Sequence, residues 1–480
     1  MKEVNNISVI FTIILMSSSS NACYNSAASM GTGTDEGLYD PPKQSEHNQG
    51  SSAFDSQIFK TVWNLPRNKC ESHFGVDLNL TSYGIEANAV NTKWNGHAVT
   101  IFYNDDLGLY PAYEANGKGE IVKKNAGLPQ LTNLTQHLEK VAIDIIAAIP
   151  DPDFTGLAVI DWEKWFPQWD FPGSIMDLYR GPSIRLVHER HPDWDDTTVE
   201  LVAKLEYEQS AKALMEGTLL LGKRLRRKGQ WGFYHHPYCY NKHGSAKGCK
   251  PEVQQLNNYI PWLFRQTTAY YPSIYINDNV ANVSDFVQAR FEEALRIRED
   301  FGDVKKQDMF SYCRFNYSHT SLHYNLKTLN DTILKSAESG LSGVVLWGDY
   351  NDTDSREACQ QLKQYVRDAL GPTITITSMA ATNCSLRLCS GHGRCSGKIL
   401  QCNKARKQHV STMFSESQQD SVVRRNRRKQ LMNMFQKSVD AINETSDYHK
   451  AFNDVEEECS CMCFSGWSGD GCDMPSENES

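Results

Sequence analysis

The stretch Gly156-Leu-Ala-Val-Ile-Asp161-Trp-Glu163-Lys-Trp165 decides the fold of this chain. Its apolar run, Leu157–Ile160, predicts a buried strand, and two acids spaced two residues apart follow that run directly. Because side chains alternate faces along a strand, Asp161 and Glu163 are predicted to project to the same side. Two carboxyls held that close cannot both ionise freely, so one of them should keep its proton well above the pKa of a free carboxyl. A retained proton is what a general acid needs.

Four aromatic residues surround the acid pair in the sequence, and they leave two interpretations open. Their rings would supply flat apolar surfaces of the kind on which sugar rings stack. The alternative is a strand end with two solvated acids and with tryptophans that belong to the hydrophobic core. The four residues are Trp162, Trp165, Phe166 and Trp169.

Apolar runs alternate with longer amphipathic stretches across residues 54–372. The predicted strands are Ala98–Tyr103, Leu157–Ile160, Gln230–Tyr234, Ser273–Ile276 and Gly343–Trp347. The predicted helices are Leu131–Ala148, Thr197–Arg226, Val283–Arg298 and Asn325–Ser339. This alternation favours an α/β fold with a parallel sheet, most economically a TIM-like (β/α) barrel. In such barrels the active site lies at the C-terminal ends of the strands. The two acids lie at or near predicted strand ends, and so do Tyr234, Tyr275 and Trp347.

The start of the chain and its composition predict a secreted, extracellular protein. Val9–Met16 is a short apolar stretch followed by small residues, which predicts a signal peptide over residues 1–22 and a disordered pro-segment or linker over residues 23–53. No other apolar run has the roughly 18–20 residues that a membrane-spanning helix needs. A net charge of −9 argues against nucleic-acid binding, and a polyanionic ligand would need locally placed cations.

Cysteines and glycosylation sequons fit the same secretory route. The predicted glycosylation sites are Asn79, Asn133, Asn282, Asn316, Asn330, Asn351, Asn383, Asn443 and Asn478. Residues 380–475 have the cysteine spacing of an EGF-like module, with an insertion at residues 403–458. A zinc site is the disfavoured alternative there, because His392 stands alone among the cysteines. In the insertion, the basic run Arg424–Lys429 is interpreted as a solvated stretch or processing site rather than a docking site for an acidic polysaccharide.

Several separated motifs recur together in one family. They are Thr61-Val-Trp-Asn64, Ile101-Phe-Tyr103, Leu107-Gly-Leu-Tyr110-Pro, Gly127-Leu-Pro-Gln130, Trp231-Gly-Phe-Tyr234, Cys239-Tyr-Asn241, Tyr271-Pro-Ser-Ile-Tyr275, Val344-Val-Leu-Trp347-Gly and Cys389-Ser-Gly-His-Gly-Arg-Cys395. Together with the acid pair, they make residues 54–472 resemble the animal hyaluronidases, secreted endo-β-N-acetylhexosaminidases of tissues and venoms. The resemblance implies a distorted (β/α) barrel with an EGF-like module packed on its side.

The resemblance also implies roles for individual residues. Glu163 would protonate the glycosidic oxygen and then activate water, and the substrate's own acetamido oxygen would act as nucleophile, with retention of configuration. Asp161 would orient and stabilise the acetamido group and help Glu163 retain its proton. Tyr275 would form a hydrogen bond with that group, and Trp347 would pack against its methyl. Tyr110, Tyr234 and Ser273 would line sugar subsites, whereas Arg290 and Glu293 match family positions that favour a salt-bridge role in the scaffold. No metal or cofactor is predicted, and the chain is expected to act as a monomer.

Family spacing further implies most of the disulfides. The implied pairs are Cys70–Cys359, Cys239–Cys249, Cys384–Cys395, Cys389–Cys461 and Cys463–Cys472. Cys402 and Cys459 bracket the insertion and are paired on position alone. Cys313 is then a candidate free thiol, and Cys23 falls near the predicted leader cleavage site.

The chain departs from the family pattern in three places, and two other functions stay open. Phe315-Asn-Tyr-Ser318 lacks an acid that the family often has, Tyr238 stands where many members have Asp, and the insertion is unusual. The leading hypothesis is hydrolysis of the β-1,4 bond between N-acetylglucosamine and glucuronate in hyaluronan. A preference for chondroitin is the second hypothesis, and a non-catalytic hyaluronan-binding protein is the third.

Overall fold

The computed structural model describes residues 58–241, 248–402 and 459–476. Several predictions concern parts of the chain outside those ranges and stay predictions. They are the signal peptide over residues 1–22, the segment 23–53, the insertion 403–458 with its basic run Arg424–Lys429, and the residues Cys23, Asn443 and Asn478.

The described chain contains fourteen strands and eleven α-helices. The strands are β1 (Lys60–Asn64), β2 (Ile85–Ala87), β3 (Val99–Phe102), β4 (Ala112–Ala115), β5 (Ile121–Lys124), β6 (Leu157–Ile160), β7 (Gln230–Phe233), β8 (Ala269–Tyr270), β9 (Asp308–Arg314), β10 (Gly343–Trp347), β11 (Gly393–Ser396), β12 (Ser460–Cys463), β13 (Trp467–Ser468) and β14 (Met474–Pro475). The helices are α1 (Leu134–Ala148), α2 (Asp177–Arg190), α3 (Asp196–Leu225), α4 (Pro251–Asn258), α5 (Pro261–Gln266), α6 (Val283–Phe301), α7 (Leu326–Leu329), α8 (Lys335–Glu338), α9 (Arg356–Tyr365), α10 (Gly371–Leu388) and α11 (Ile399–Cys402).

Two parallel sheets position the strand ends. The larger sheet has the order β2-β1-β10-β9-β8, and the smaller one has the order β3-β6-β7. A parallel bridge between Tyr234 and Tyr271 connects them just beyond β7 and β8. The opposite edges of the two sheets are β2 and β3. Between them, the buried side chain of Asn88 accepts hydrogen bonds from the amides of Ala98 (3.0 Å) and Val99 (3.1 Å) and donates to the Val99 carbonyl (2.7 Å). One side-chain amide therefore links the end of β2 to β3.

Two glycines allow neighbouring strands to approach closely. A Cβ atom on Gly232 would lie 2.0 Å from the carbonyl oxygen of Ala269, and one on Gly343 would lie 2.1 Å from that of Lys60. Both distances are far inside van der Waals contact, so a side chain at either position would push adjacent strands apart. These two positions help to bring the strand ends together.

Alternate side chains of β6 pack into two different hydrophobic cores. Ala158 and Ile160 pack into the large core, whereas Leu157 and Val159 pack into a smaller one. Tyr234, Tyr312 and Val345 belong to the smaller core, and Tyr103, Tyr275 and Trp347 lie partly buried against it. Asp161 continues the line of Leu157 and Val159, so it faces the aromatic side chains that cover the smaller core.

The predicted elements are largely confirmed, with two kinds of error. Leu157–Ile160 and Gly343–Trp347 have the predicted bounds, and α1, α3 and α6 fall within three residues of theirs. The strand predicted at Ser273–Ile276 is wrong, because β8 ends at Tyr270 and Ser273 forms only an isolated bridge to Tyr312. No strand was predicted for β1 or β9. Helix α10 includes residue 372, and the domain boundary expected there stays a prediction.

Six disulfides join described cysteines. They are Cys70–Cys359, Cys239–Cys249, Cys384–Cys395, Cys389–Cys461, Cys402–Cys459 and Cys463–Cys472. These are the pairs predicted from family spacing and position. Cys313 is a free, fully buried cysteine, and burial raises the pKa of its thiol to about 12. Two short antiparallel pairs, β11–β12 and β13–β14, form the cysteine-rich end of the described chain.

Within residues 58–241, 248–402 and 459–476, no helix is both long enough and apolar enough to cross a bilayer.

Candidate active site

The acid pair lies immediately beyond β6, and its two members differ in environment. The Asp161 amide donates to the Phe102 carbonyl (2.9 Å), which holds the first acid against the end of β3. Oδ1 of Asp161 is buried and has no hydrogen-bond partner among the described residues. The side chain of Glu163 is 52% exposed. The pair therefore consists of one acid on the floor of the site and one that reaches towards solvent.

The spacing predicts that one acid of the pair has a raised pKa, and the buried member, Asp161, has surroundings that raise its pKa. Burial, and then the nearby charge of Glu163, raise the pKa of Asp161 well above its ordinary value. Burial has this effect because desolvation penalises the charged form of the acid that is further from water. That Glu163 donates a proton stays a prediction.

His235 is a neighbour of the pair that sequence reasoning missed. Its Nδ1 lies 3.9 Å from Oε1 of Glu163, and its backbone has a positive φ of 65°. Burial lowers the pKa of His235 below its ordinary value of 6.5, although Glu163 opposes that shift. The ring is therefore mainly neutral near neutral pH and becomes a cation only in acid.

Tyr234 and Ser273 meet beside the acids, as predicted. The Tyr234 hydroxyl donates to Oγ of Ser273 at 3.0 Å, and burial raises the pKa of Tyr234 above its ordinary value. Arg290 donates to the Ser273 carbonyl and, at 3.1 Å, to Oδ1 of Asn241. The salt-bridge role expected for both Arg290 and Glu293 is confirmed for Glu293, which pairs with Arg296 at 2.8 Å. It is wrong for Arg290 within the described residues, where its partners are these neutral oxygens.

Tyr275 and Trp347 form an aromatic wall over the smaller core. Their rings stack with centroids 5.7 Å apart and planes 23° apart. Nε1 of Trp347 donates to the Tyr103 hydroxyl at 3.0 Å, and the Arg314 guanidinium lies 4.8 Å from the centre of the Trp347 ring. The wall is thus fixed on several sides and can present a flat face to a ligand.

Arg314 belongs to a second group of charges beside that wall. It contacts Oδ2 of Asp349 at 3.0 Å and Oδ2 of Asp352 at 3.4 Å, and its Nε donates to Asn316. Asn316 in turn donates to Oδ1 of Asp352 at 2.6 Å. Because Asn316 is only 1% exposed, the prediction that it carries a glycan is wrong for the folded chain.

The other described sequons are more accessible. Asn330 is half-buried, and the remaining ones are exposed: Asn79, Asn133, Asn282, Asn351 and Asn383. Several of these cap helices, as Asn133 does by accepting from the Gln136 amide.

Tyr110 and the aromatic residues next to the acids lie in the core. Tyr110 is 0% exposed, and its hydroxyl accepts a hydrogen bond from the Lys164 amide at 3.0 Å. It supports the loop that carries the acids, which contradicts its predicted place in a sugar subsite. Of the two interpretations left open for the aromatic residues around the pair, the core interpretation is confirmed, because all four are buried: Trp162, Trp165, Phe166 and Trp169.

Trp94 and Tyr350 extend the aromatic wall and were not predicted. Trp94 stacks on Trp347 with centroids 6.3 Å apart, and its Nε1 donates to the Tyr350 hydroxyl at 2.9 Å. No local pattern points to this pair, since 256 positions separate its members. Across the described ranges, His, Cys, Asp and Glu form no cluster of three or more that could hold a metal ion.

Comparison with known proteins gives one consistent result. A family model described as Hyaluronidase matches residues 48–476. Human Hyaluronidase-1 is 40% identical over 344 residues, which are 70% of this chain and 78% of the human protein. Hyaluronidase-1 of Cerastes cerastes is 33% identical over 87% of this chain and 91% of its own length. The solved structure of bee venom hyaluronidase in complex with hyaluronic acid tetramer has a TM-score of 0.62 and 32% identity, covering 66% of this chain and 98% of that one.

Proposed function

Because the chain belongs to the hyaluronidase family, we propose that Glu163 is the general acid and base with which it hydrolyses hyaluronan. The observation that carries this proposal is the acid pair itself. Glu163 is exposed enough to reach a bound polysaccharide, and Asp161 lies behind it with an unpartnered buried oxygen. In the substrate-assisted scheme that the family resemblance implies, one acid donates the proton and the other orients the acetamido group.

The proposed reaction has two steps. Glu163 gives its proton to the glycosidic oxygen of the β-1,4 bond while the acetamido oxygen of N-acetylglucosamine attacks the anomeric carbon. The bond to the leaving glucuronate breaks, and an oxazoline-like intermediate forms. Glu163, now a carboxylate, takes a proton from water, which opens the intermediate at the anomeric carbon. Two inversions leave the product with the configuration of the substrate.

Asp161 would prepare the pair for the first step. Burial and the nearby charge of Glu163 raise the pKa of Asp161, which favours its protonated form. An acetamido N–H that donates to the open Oδ1 position would favour the ionised form of Asp161. Substrate binding would then make the proton available to Glu163. The same charge would stabilise the positive intermediate.

The aromatic residues would hold the acetamido group. Tyr275 lies against Trp347, whereas the Tyr234 hydroxyl interacts with both Ser273 and Tyr275. We therefore assign the contact with the acetamido oxygen to Tyr275 and the apolar contact with its methyl group to Trp347. Tyr234 and Ser273 would border the neighbouring sugar.

The proposal also covers the architecture of the protein and its secretion. The two parallel sheets, linked by Tyr234–Tyr271 and by Asn88, would form a distorted barrel. The disulfide-linked end, with β11–β12 and β13–β14, would be an EGF-like module interrupted by the insertion. We also infer that the protein is secreted to the extracellular space, is glycosylated at the accessible sequons and acts as a monomer.

The decisive variant is Glu163→Gln. We expect it to lower the initial rate of hyaluronan cleavage by at least about a thousandfold, because acid–base catalysis is lost in both steps. The matched control is Glu299→Gln, which changes an exposed glutamate in the last turn of α6. Full activity in Glu163→Gln, with yield and disulfides unchanged in both variants, would remove Glu163 from the mechanism.

Products and competing substrates separate the remaining alternatives. A hydrolase should release saturated, even-numbered oligosaccharides, whereas unsaturated ends would indicate a lyase. Initial rates on purified hyaluronan and chondroitin, which differ at one hydroxyl of the N-acetylhexosamine, distinguish the two substrates. Binding of hyaluronan without any fall in its viscosity would support the non-catalytic hypothesis.

A further inference from the structure

Aromatic rings continue outward from the proposed acetamido pocket. Trp94 stacks on Trp347 with planes 17° apart, and Tyr350 packs edge-on against Trp94 with centroids 5.6 Å apart. The hydrogen bond from Trp94 Nε1 fixes the Tyr350 hydroxyl. The row therefore runs from Tyr275 through Trp347 and Trp94 to Tyr350.

The outermost ring of this row is accessible and ordered at the same time. Tyr350 is 49% exposed, although its hydroxyl and one edge of its ring are held by Trp94. An exposed aromatic ring with a fixed orientation loses little conformational entropy when a ligand covers it. Such a ring is suited to stacking against the apolar face of a sugar.

One cation lies beside the same ring. The Lys69 ammonium is 5.9 Å from the centre of the Tyr350 ring. Lys93, which precedes Trp94 in the chain, is a second exposed cation. Arg67 is engaged by Glu71 at 2.6 Å and adds no free charge. The whole chain has a net charge of −9, so Lys69 supplies a local positive charge that suits an anionic ligand.

We propose that Trp94, Tyr350 and Lys69 form an outer subsite for hyaluronan, beyond the linkage that is cleaved. A sugar ring stacks on Tyr350, and the carboxylate of a glucuronate unit pairs with the Lys69 ammonium. Hyaluronan carries one such carboxylate in each disaccharide, so a long chain can reach the subsite while its acetamido group lies beside Tyr275. The inference rests on the proposed function, because its occupant is another part of the same substrate.

A purely structural role for this row predicts a different result. If Trp94 and Tyr350 only supported Trp347, removing the Tyr350 ring would slow the cleavage of short and long substrates equally. An outer subsite affects only substrates long enough to fill it. The ratio of kcat/KM for long and short substrates therefore separates the two roles.

The experiment compares a hyaluronan hexasaccharide with long hyaluronan for the wild-type chain and for Tyr350→Ala and Lys69→Gln. We expect the long-to-short ratio of kcat/KM to fall about fivefold in Tyr350→Ala and about threefold in Lys69→Gln, in line with the loss of partly exposed contacts. The fall in Lys69→Gln should shrink in high salt, because screening already weakens its ion pair in the wild type.

Two control variants remove similar side chains elsewhere. Tyr259→Ala deletes a tyrosine that is 77% exposed between α4 and α5, and Lys305→Gln removes an exposed lysine just before β9. Neither should change the ratio. An unchanged ratio in Tyr350→Ala and Lys69→Gln, in a chain that cleaves hyaluronan, overturns the outer subsite alone. A wild-type chain that leaves hyaluronan intact overturns the proposed function and the outer subsite with it.

Discussion

Two pairs of acids lie at the same edge of the parallel strands, and they differ in whether a cation neutralises them. Asp161 and Glu163 follow β6, and within the described part of the chain neither forms an ion pair with lysine or arginine. Asp349 and Asp352 follow β10 and share Arg314 between them. Burial raises the pKa of Asp161 and of Asp352, but Arg314 and Asn316 act to lower the latter.

The difference separates an acid pair used in the scaffold from one suited to chemistry. A buried carboxylate that only holds the fold is best neutralised by a cation and by hydrogen-bond donors, as Asp352 is. A cation beside Asp161 and Glu163 would favour their ionised forms and remove the proton that a general acid needs. Four predictions test this comparison, from the largest expected effect to the smallest.

The largest effect should come from Asp161→Asn. We expect the rate of hyaluronan cleavage to fall by about a hundredfold, because the amide cannot carry the charge that stabilises the intermediate. Asp352→Asn is the corresponding change in the other pair, and its effect on rate should be much smaller. Initial rates of reducing-end release measure both. Equal losses would mean that the two pairs do not differ in function.

Arg314→Met should affect stability more than chemistry. Removing the guanidinium leaves Asp349 and Asp352 facing each other, and we expect the free energy of unfolding to fall by about 3 kcal/mol. The double variant Arg314→Met/Asp352→Asn should recover part of that loss, since one unpaired charge is gone. Urea unfolding of the three variants provides the measurement. Strictly additive losses would show that no coupling exists between Arg314 and Asp352.

Asp161→Asn should also stabilise the fold in a way that depends on pH. A carboxyl whose pKa is raised by folding holds its proton more tightly in the folded chain, so the wild type loses stability as pH rises above the ordinary aspartate value. The variant should therefore gain about 1 kcal/mol at pH 7 and little near pH 4. Melting temperatures at the two pH values test this, and an equal gain at both would contradict it.

The smallest effect should follow from His235→Asn, a replacement that tolerates the positive φ. Burial lowers the pKa of His235, so the ring becomes a cation only below pH 6.5, where it would favour the carboxylate form of Glu163. Without that cation, Glu163 should keep the proton it donates to higher pH, so the alkaline limb of the activity profile should move up by about half a pH unit. A rate profile from pH 3 to 8 would show this, and an unchanged alkaline limb would exclude His235 from the site's electrostatics.

Local patterns predicted much of the fold and the acid pair. The run Leu157–Ile160 has only apolar residues and a defined end, so both the strand and its exit could be located. The same two-residue period places Trp162 opposite Asp161, towards the large core. Applied consistently, that rule would have excluded Trp162 as a stacking surface.

The remainder of the site depends on contacts that no local pattern encodes. Trp94 and Tyr350 meet only because β2 and β10 both flank β1. Burial of Tyr110 depends on its packing against Trp162 and Trp165, which the motif around it does not reveal. Likewise, a sequon records residue types and not solvent access, which is why Asn316 was mistaken for a glycan acceptor.

The hydrogen bonds of the Asn88 side chain should affect how β2 and β3 separate in local opening. Because the Ala98 and Val99 amides donate to its Oδ1, their hydrogen exchange is governed by the rotation of a single side chain rather than by separation of two strands. The seam between β2 and β3 should thus open with a lower free energy than any paired strand in either sheet. Solvent would enter the inner face of the sheets there first.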